Sequence, residues 1–136
     1  MLESLSRESA RLKGWIEQDC RHRRPWLCGF SNGAAMAASL LQSDPSAYSG
    51  LIMLAACFPV GEDSLDEGAL GDVPVLFCNG TDDTVIPARN FEEAERYLSG
   101  SSGAKAAFLR YEGGHEPPLV AWRDILSWLE AQEATG

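Results

Sequence analysis

Apolar and polar positions follow two different rhythms along this chain, and each change of rhythm marks an element. Leu5, Leu12 and Ile16 recur at helical spacing, with Arg, Glu and Lys between them. That predicts an amphipathic helix over about Leu2 to Gln18, weakened by Gly14. Trp26 to Phe30 reads instead as a short buried strand, and the alanine-rich Asn32 to Leu41 as a helix. The helix stops before Pro45, with Asp44-Pro45-Ser46 as a turn. Leu51 to Cys57 is a continuous apolar run of strand length, the pattern of a strand covered on both faces, and Pro59 ends it.

The acidic, glycine-bearing stretch Gly61 to Asp72 reads as a surface loop. Val73 to Cys78 is a third buried strand, with Pro74 tolerable at its start. Pro87 opens a helix over about Ala88 to Leu98, whose inner face carries Phe91, Ala94 and Leu98. Gly100 to Gly103 is a turn, and Ala106 to Tyr111 a fourth strand. Pro117-Pro118 opens the last helix, with Leu119, Trp122, Ile125, Leu126 and Leu129 expected to face inward. Strands alternating with helices imply an α/β fold: a mostly parallel sheet of about four strands with helices on both faces. In such sheets chemistry collects at the carboxyl ends of the strands.

Composition narrows the class. The 136 residues suffice for a single domain, 1–136, with a real core, and are too few for two. A formal net charge of -9 argues against nucleic acid or an anionic membrane as main partner. The basic cluster Arg21-His22-Arg23-Arg24 reads as a solvated turn. No segment approaches the roughly 20 apolar residues of a bilayer span, and Met1 to Glu8 lacks a secretory pattern. A cytoplasmic location is therefore expected. Cys20, Cys28, Cys57 and Cys78 form no C-x-x-C pair and read as buried free thiols. The two scattered histidines supply no zinc-ligand cluster, so neither metal nor cofactor is expected.

The candidate chemistry follows the strands. Gly29-Phe30-Ser31-Asn32-Gly33 is a G-x-S-x-G sequence between a strand and a helix. Such a turn lifts the serine hydroxyl clear of the sheet. Backbone crowds the turn, so a Cβ at Gly29 or Gly33 is expected to clash. The amide of Asn32 points into the site, where it can donate to an oxyanion. Three fixed letters arise by chance in about one chain in twenty of this length, so the strand and helix around them carry the weight.

After the third strand comes Asn79-Gly80-Thr81-Asp82-Asp83-Thr84-Val85-Ile86-Pro87, and after the fourth Glu112-Gly113-Gly114-His115. A serine, a carboxylate and a histidine thus stand at three strand ends on one edge of the sheet. Serine needs a base, and imidazole suits. Imidazole needs a carboxylate to fix its tautomer and stabilise it when charged. The order Ser, Asp, His is the one expected for this turn. Read singly, His115 is equally a loop histidine, and Asp82 and Asp83 equally cap a helix or a turn. Of the two adjacent aspartates, only one is expected to face the histidine.

These segments resemble the α/β-hydrolase superfamily, and within it the phospholipase/carboxylesterase (dienelactone hydrolase-like) group of small serine esterases. Gly29 to Ala37 is similar to that group's nucleophile segment, Asn79 to Pro87 to its acid loop, and Gly114-His115 to its histidine. The resemblance implies Ser31 as nucleophile, Asp83 rather than Asp82 as the acid, and His115 as base. Asn79 stands where the acid loop of that group usually has histidine, a residue that is not the group's base. The implied activity is cleavage of a small-molecule carboxylic ester through an acyl-enzyme. Phe58, Pro59 and Ile86, near strand ends, are candidate pocket walls, and equally packing residues.

Members of the group normally carry several strands and helices before the nucleophile strand, whereas 25 residues precede Trp26 here. Against that pattern the chain reads as the C-terminal part of the fold, N-terminally truncated. The resemblance places in the preceding part a second oxyanion donor and a strand beside Trp26 to Phe30. Two alternatives to the esterase follow: a non-catalytic remnant, and a half-domain completed by a second copy through the exposed sheet edge.

Overall fold

A computed structural model describes residues 7, 11, 24–56, 68, 70–86, 88–100 and 102–135. Strand β1 (Trp26–Phe30) runs into helix α1 (Asn32–Ser43). A 3-10 turn (Pro45–Ala47) leads to β2 (Gly50–Leu54), and β3 is Pro74–Gly80. Then follow α2 (Ala88–Ser99), β4 (Lys105–Tyr111) and α3 (Leu119–Thr135). The sheet has four strands in the order β1-β2-β3-β4, and every neighbouring pair is parallel. The parallel α/β sheet read from the sequence is the one found.

Side-chain alternation along the strands builds two cores. Leu51 and Met53 of β2, with Val75 and Phe77 of β3, face α1 and α2. There they meet Ala34, Ala38 and Leu41 from α1, and Phe91, Ala94 and Leu98 from α2. The intervening residues, Ile52, Leu54, Leu76 and Cys78, face Ala121 and Ile125 of α3. Each Leu or Phe removed from water contributes about 1.5–3 kcal/mol, so the sheet is held from both sides. Alanines on α1 bring that helix close beneath the strand it follows. Trp26 and Trp128 meet edge to face at 5.7 Å and tie β1 to α3.

Several expectations need correction. β2 ends at Leu54 rather than Cys57, because Ala55 turns to φ 54 while its amide still donates to the Cys78 carbonyl. β1 is not the buried strand its apolar run suggests; it lies at a sheet edge among the described residues, as the N-terminally truncated reading expects, with Phe30 41% exposed. Cys28, on the same edge strand, is exposed and free, whereas Cys78 is buried and free. On α3 the inward stripe is Ala121, Ile125, Trp128 and Leu129, while Leu119, Trp122 and Leu126 are exposed. Counting large apolar residues missed the small one, Ala121, that sets the true stripe. The amino-terminal helix expected over Leu2 to Gln18 lies outside the described residues except for Arg7 and Arg11, which are both helical. Among the described residues no helix is long and apolar enough to cross a membrane.

Candidate active site

Ser31 occupies the step from β1 to α1 at φ 53, ψ -118, a left-handed φ that a serine adopts only when its surroundings hold it. Its amide donates to the Leu54 carbonyl at 2.8 Å, and its own carbonyl accepts from the Ala34 amide at 3.0 Å. The backbone is thus pinned on both sides. An ordinary serine before a helix spends its hydroxyl on the helix amides, but Ser31 makes no such side-chain capping bond. The hydroxyl is not spent on the helix amides. Asn32, at the start of α1, carries one of the first-turn amides that have no acceptor inside a helix, which suits it to bind an oxyanion.

The two flanking glycines are not equivalent. A Cβ on Gly29 would lie 2.4 Å from the Gly33 carbonyl and 2.5 Å from the Ala34 nitrogen. A Cβ on Gly33 would meet nothing within 4 Å, so the expected clash exists at Gly29 alone. The crowding comes from α1 folding back over β1, and Gly33 lies on the exposed side of that contact.

Past β3, Asp83 turns inward. Its Oδ1 accepts hydrogen bonds from the Val85 and Ile86 amides at 2.7 and 3.0 Å. Its Oδ2 lies 2.9 Å from His115 Nδ1. The carboxylate side chain is 2% exposed and the imidazole 23%. Burial pushes the Asp83 carboxyl up, but the His115 hydrogen bond, the Ile86 and Val85 amides and the His115 charge outweigh it. The carboxyl therefore ionises below its ordinary range. An ionised carboxylate only accepts, so Nδ1 carries the proton and Nε2 is left as the basic nitrogen. Asp82 is exposed and uses its amide, which donates to the Gly113 carbonyl.

Phe30, next to Ser31, has its ring 5.1 Å from the imidazole, so the strand end bearing the serine meets the histidine loop. Ser31 Oγ makes no hydrogen bond among the described residues. Ile86 is half-buried, and its amide serves Asp83. Phe58 and Pro59 lie outside the described residues. Among the described residues no three His, Cys, Asp or Glu side chains are grouped to hold a metal ion.

Sequence reasoning missed two residues here. A Cβ on Gly80 would lie 2.1 Å from the Gly114 oxygen and 2.5 Å from that of Gly113. Glycine at that position lets the acid loop and the histidine loop touch. Tyr111 is buried beneath them and donates its hydroxyl to the His115 carbonyl at 3.1 Å. The available signals were a glycine at a strand end and a tyrosine at the last position of the next strand. Asn79, at the position usually held by histidine, is buried, and its Oδ1 has no partner among the described residues.

Comparison with known proteins gives the family and the fold. The Phospholipase/Carboxylesterase family model matches residues 3–132. MhqD of Bacillus subtilis (strain 168), named as a hydrolase, is 34% identical over 88 residues, 65% of this chain and 42% of that protein. Acyl-protein thioesterase 1 of Eremothecium gossypii is 28% identical over 145 aligned positions, 93% of this chain and 61% of its own. The crystal structure of the Bacillus cereus carboxylesterase superposes with a TM-score of 0.84 at 21% identity, covering 96% of this chain and 62% of that one. The chain thus spans less than two thirds of the length of each of these proteins. With the family model matching nearly end to end and the fold superposing, the chain belongs to the phospholipase/carboxylesterase family of α/β hydrolases.

Proposed function

We propose that this chain is a serine hydrolase that cleaves small-molecule carboxylic esters through an acyl-enzyme intermediate. The observation that carries the reading is the Asp83–His115 pair at 2.9 Å, its imidazole against Phe30, whose chain neighbour Ser31 is held at positive φ and free of capping. Ser31 Oγ attacks the carbonyl carbon, and its proton passes to His115 Nε2. Asp83 stabilises the imidazolium that forms. The carbonyl oxygen, now anionic, accepts from the Asn32 amide; in other serine hydrolases one such donor is worth on the order of 100- to 1000-fold in rate. Collapse breaks the C–O bond, and the proton on Nε2 leaves with the alcohol. Water then attacks the acyl-serine with His115 again as base, releasing the acid and restoring Ser31. Every proton taken up is returned, and no cofactor enters the cycle.

The test is hydrolysis of p-nitrophenyl butyrate, with acid quenching and peptide mass spectrometry. An acyl group on the Ser31 peptide, absent from Ser31→Ala, supports the mechanism. A second reading is favoured by the edge position of β1 and by exposed Phe30 beside the nucleophile. In it the chain is a non-catalytic half-domain, or a second copy completes the site along that edge. Sedimentation velocity separates these: activity that rises with a dimer fraction supports completion, and a monomer without activity supports the non-catalytic reading.

A further inference from the structure

His115 sits at the end of a segment with little stiffness of its own. Gly113 and Gly114 precede it, and Gly113 holds φ 146, a conformation glycine alone adopts easily. Up to Gly113 the chain is fixed by backbone: the Thr81 amide donates to the Tyr111 carbonyl and the Asp82 amide to the Gly113 carbonyl, both at 2.9 Å. Beyond Gly113, two hydrogen bonds hold His115 among the described residues. One joins its ring to Asp83 at 2.9 Å, and the other joins its carbonyl to the Tyr111 hydroxyl at 3.1 Å. A ring held at Asp83 alone can pivot, because past the held Gly113 carbonyl the backbone under it turns at Gly114.

Tyr111 is well placed to stop that pivot. It is 4% exposed and belongs to the core between the sheet and α3, with Leu54, Cys78, Ala121 and Ile125. Its ring is packed against Gly80, where a Cβ would lie 2.9 Å from Tyr111 Cε2. The hydroxyl therefore emerges from a fixed ring at a fixed point. Burial, the Asp83 charge and Cys78 push the phenol up to about 12. It remains a donor at neutral pH, where Asp83 is ionised.

We propose that Tyr111 is a positioning residue for His115: its hydroxyl clamps the His115 carbonyl across the Gly114 step and keeps Nδ1 on Asp83. The proposal rests on His115 being the base. It adds a second, backbone-directed restraint to the side-chain restraint that Asp83 supplies.

Tyr111→Phe removes the hydroxyl and keeps the ring. Ile125→Val trims the same core from α3 and keeps the Tyr111 hydroxyl, so it reports simple loss of packing. Two readouts are taken on both: kcat and KM for a soluble ester, and the proton resonance of His115 Nδ1–H, assigned with His115→Ala. The expected result for Tyr111→Phe is a kcat lower by roughly three- to tenfold, the population effect of one ordinary hydrogen bond. KM stays near its original value, and the Nδ1–H signal is lost to faster exchange. Ile125→Val keeps both kcat and the signal. A Tyr111→Phe protein with unchanged kcat and signal overturns the proposal, as does an equal loss of both in Ile125→Val. Should the unmodified chain neither hydrolyse ester nor acylate Ser31, the esterase reading falls by itself. The resonance comparison then decides the tyrosine clamp alone: loss of the signal in Tyr111→Phe only supports it, and retention overturns it.

Discussion

At the scale of single residues, the site is built on groups that other residues would break by known amounts. Gly29→Ala drives a methyl into the backbone of α1 at 2.4 Å. Stability is expected to fall by more than the ~1 kcal/mol of an average substitution. Gly33→Ala enters open space and is expected to gain about 0.4–1 kcal/mol through a stiffer unfolded chain. Urea unfolding of the pair checks both signs. Gly80→Ala prises the two loops apart, so hydrolysis should drop sharply while the sheet persists by circular dichroism. Asp83 carries a pH prediction. Its folded pKa lies below the ordinary 3.8, so its ionised form contributes stability above about pH 4, and that contribution disappears as pH falls through the folded pKa. Thermal unfolding should show Asp83→Asn less stable than the parent at pH 7. The gap should close under acid. If it persists undiminished under acid, the carboxylate is not responsible.

Elements were legible wherever one rule governed them. β3 announced itself as an apolar run because a parallel strand inside the sheet is covered on both faces, and α2 showed its Phe91, Ala94 and Leu98 stripe because a single face is buried. The three candidate catalytic residues, Ser31, Asp83 and His115, were readable because each follows a strand. The close approach of Gly80 to Gly114 was not, since it depends on how two loops separated along the chain fold over each other. Helix α3 misled because its exposed side is as apolar as its buried one. The buried stripe contains Ala121 and Ile125, while Leu126 is 55% exposed. Ile125→Ala should therefore cost about 2–5 kcal/mol, and Leu126→Ala should stay within about 0.5 kcal/mol. Equal losses in denaturant unfolding would mean that the stripe is assigned to the wrong face.

Taken as a whole, the molecule places Ser31 at one end of a parallel sheet whose other strands lead into the loops of Asp83 and His115. β1 is both the strand that presents Ser31 and a sheet edge among the described residues. Thiol accessibility reports on that edge directly. Cys28 should react with a maleimide in the folded protein, whereas Cys78 should react only on unfolding, as peptide mapping would show. Protection of Cys28 that grows with protein concentration would identify the edge as an association surface. The claim on which the account turns is that Ser31, His115 and Asp83 work together as one nucleophilic unit, and a fluorophosphonate probe tests it without any choice of substrate. The account predicts labelling at Ser31 in the parent chain, located by peptide mass spectrometry, and none in Ser31→Ala or His115→Ala. A folded parent chain that stays unlabelled, or a His115→Ala variant labelled as fast as the parent, would contradict it.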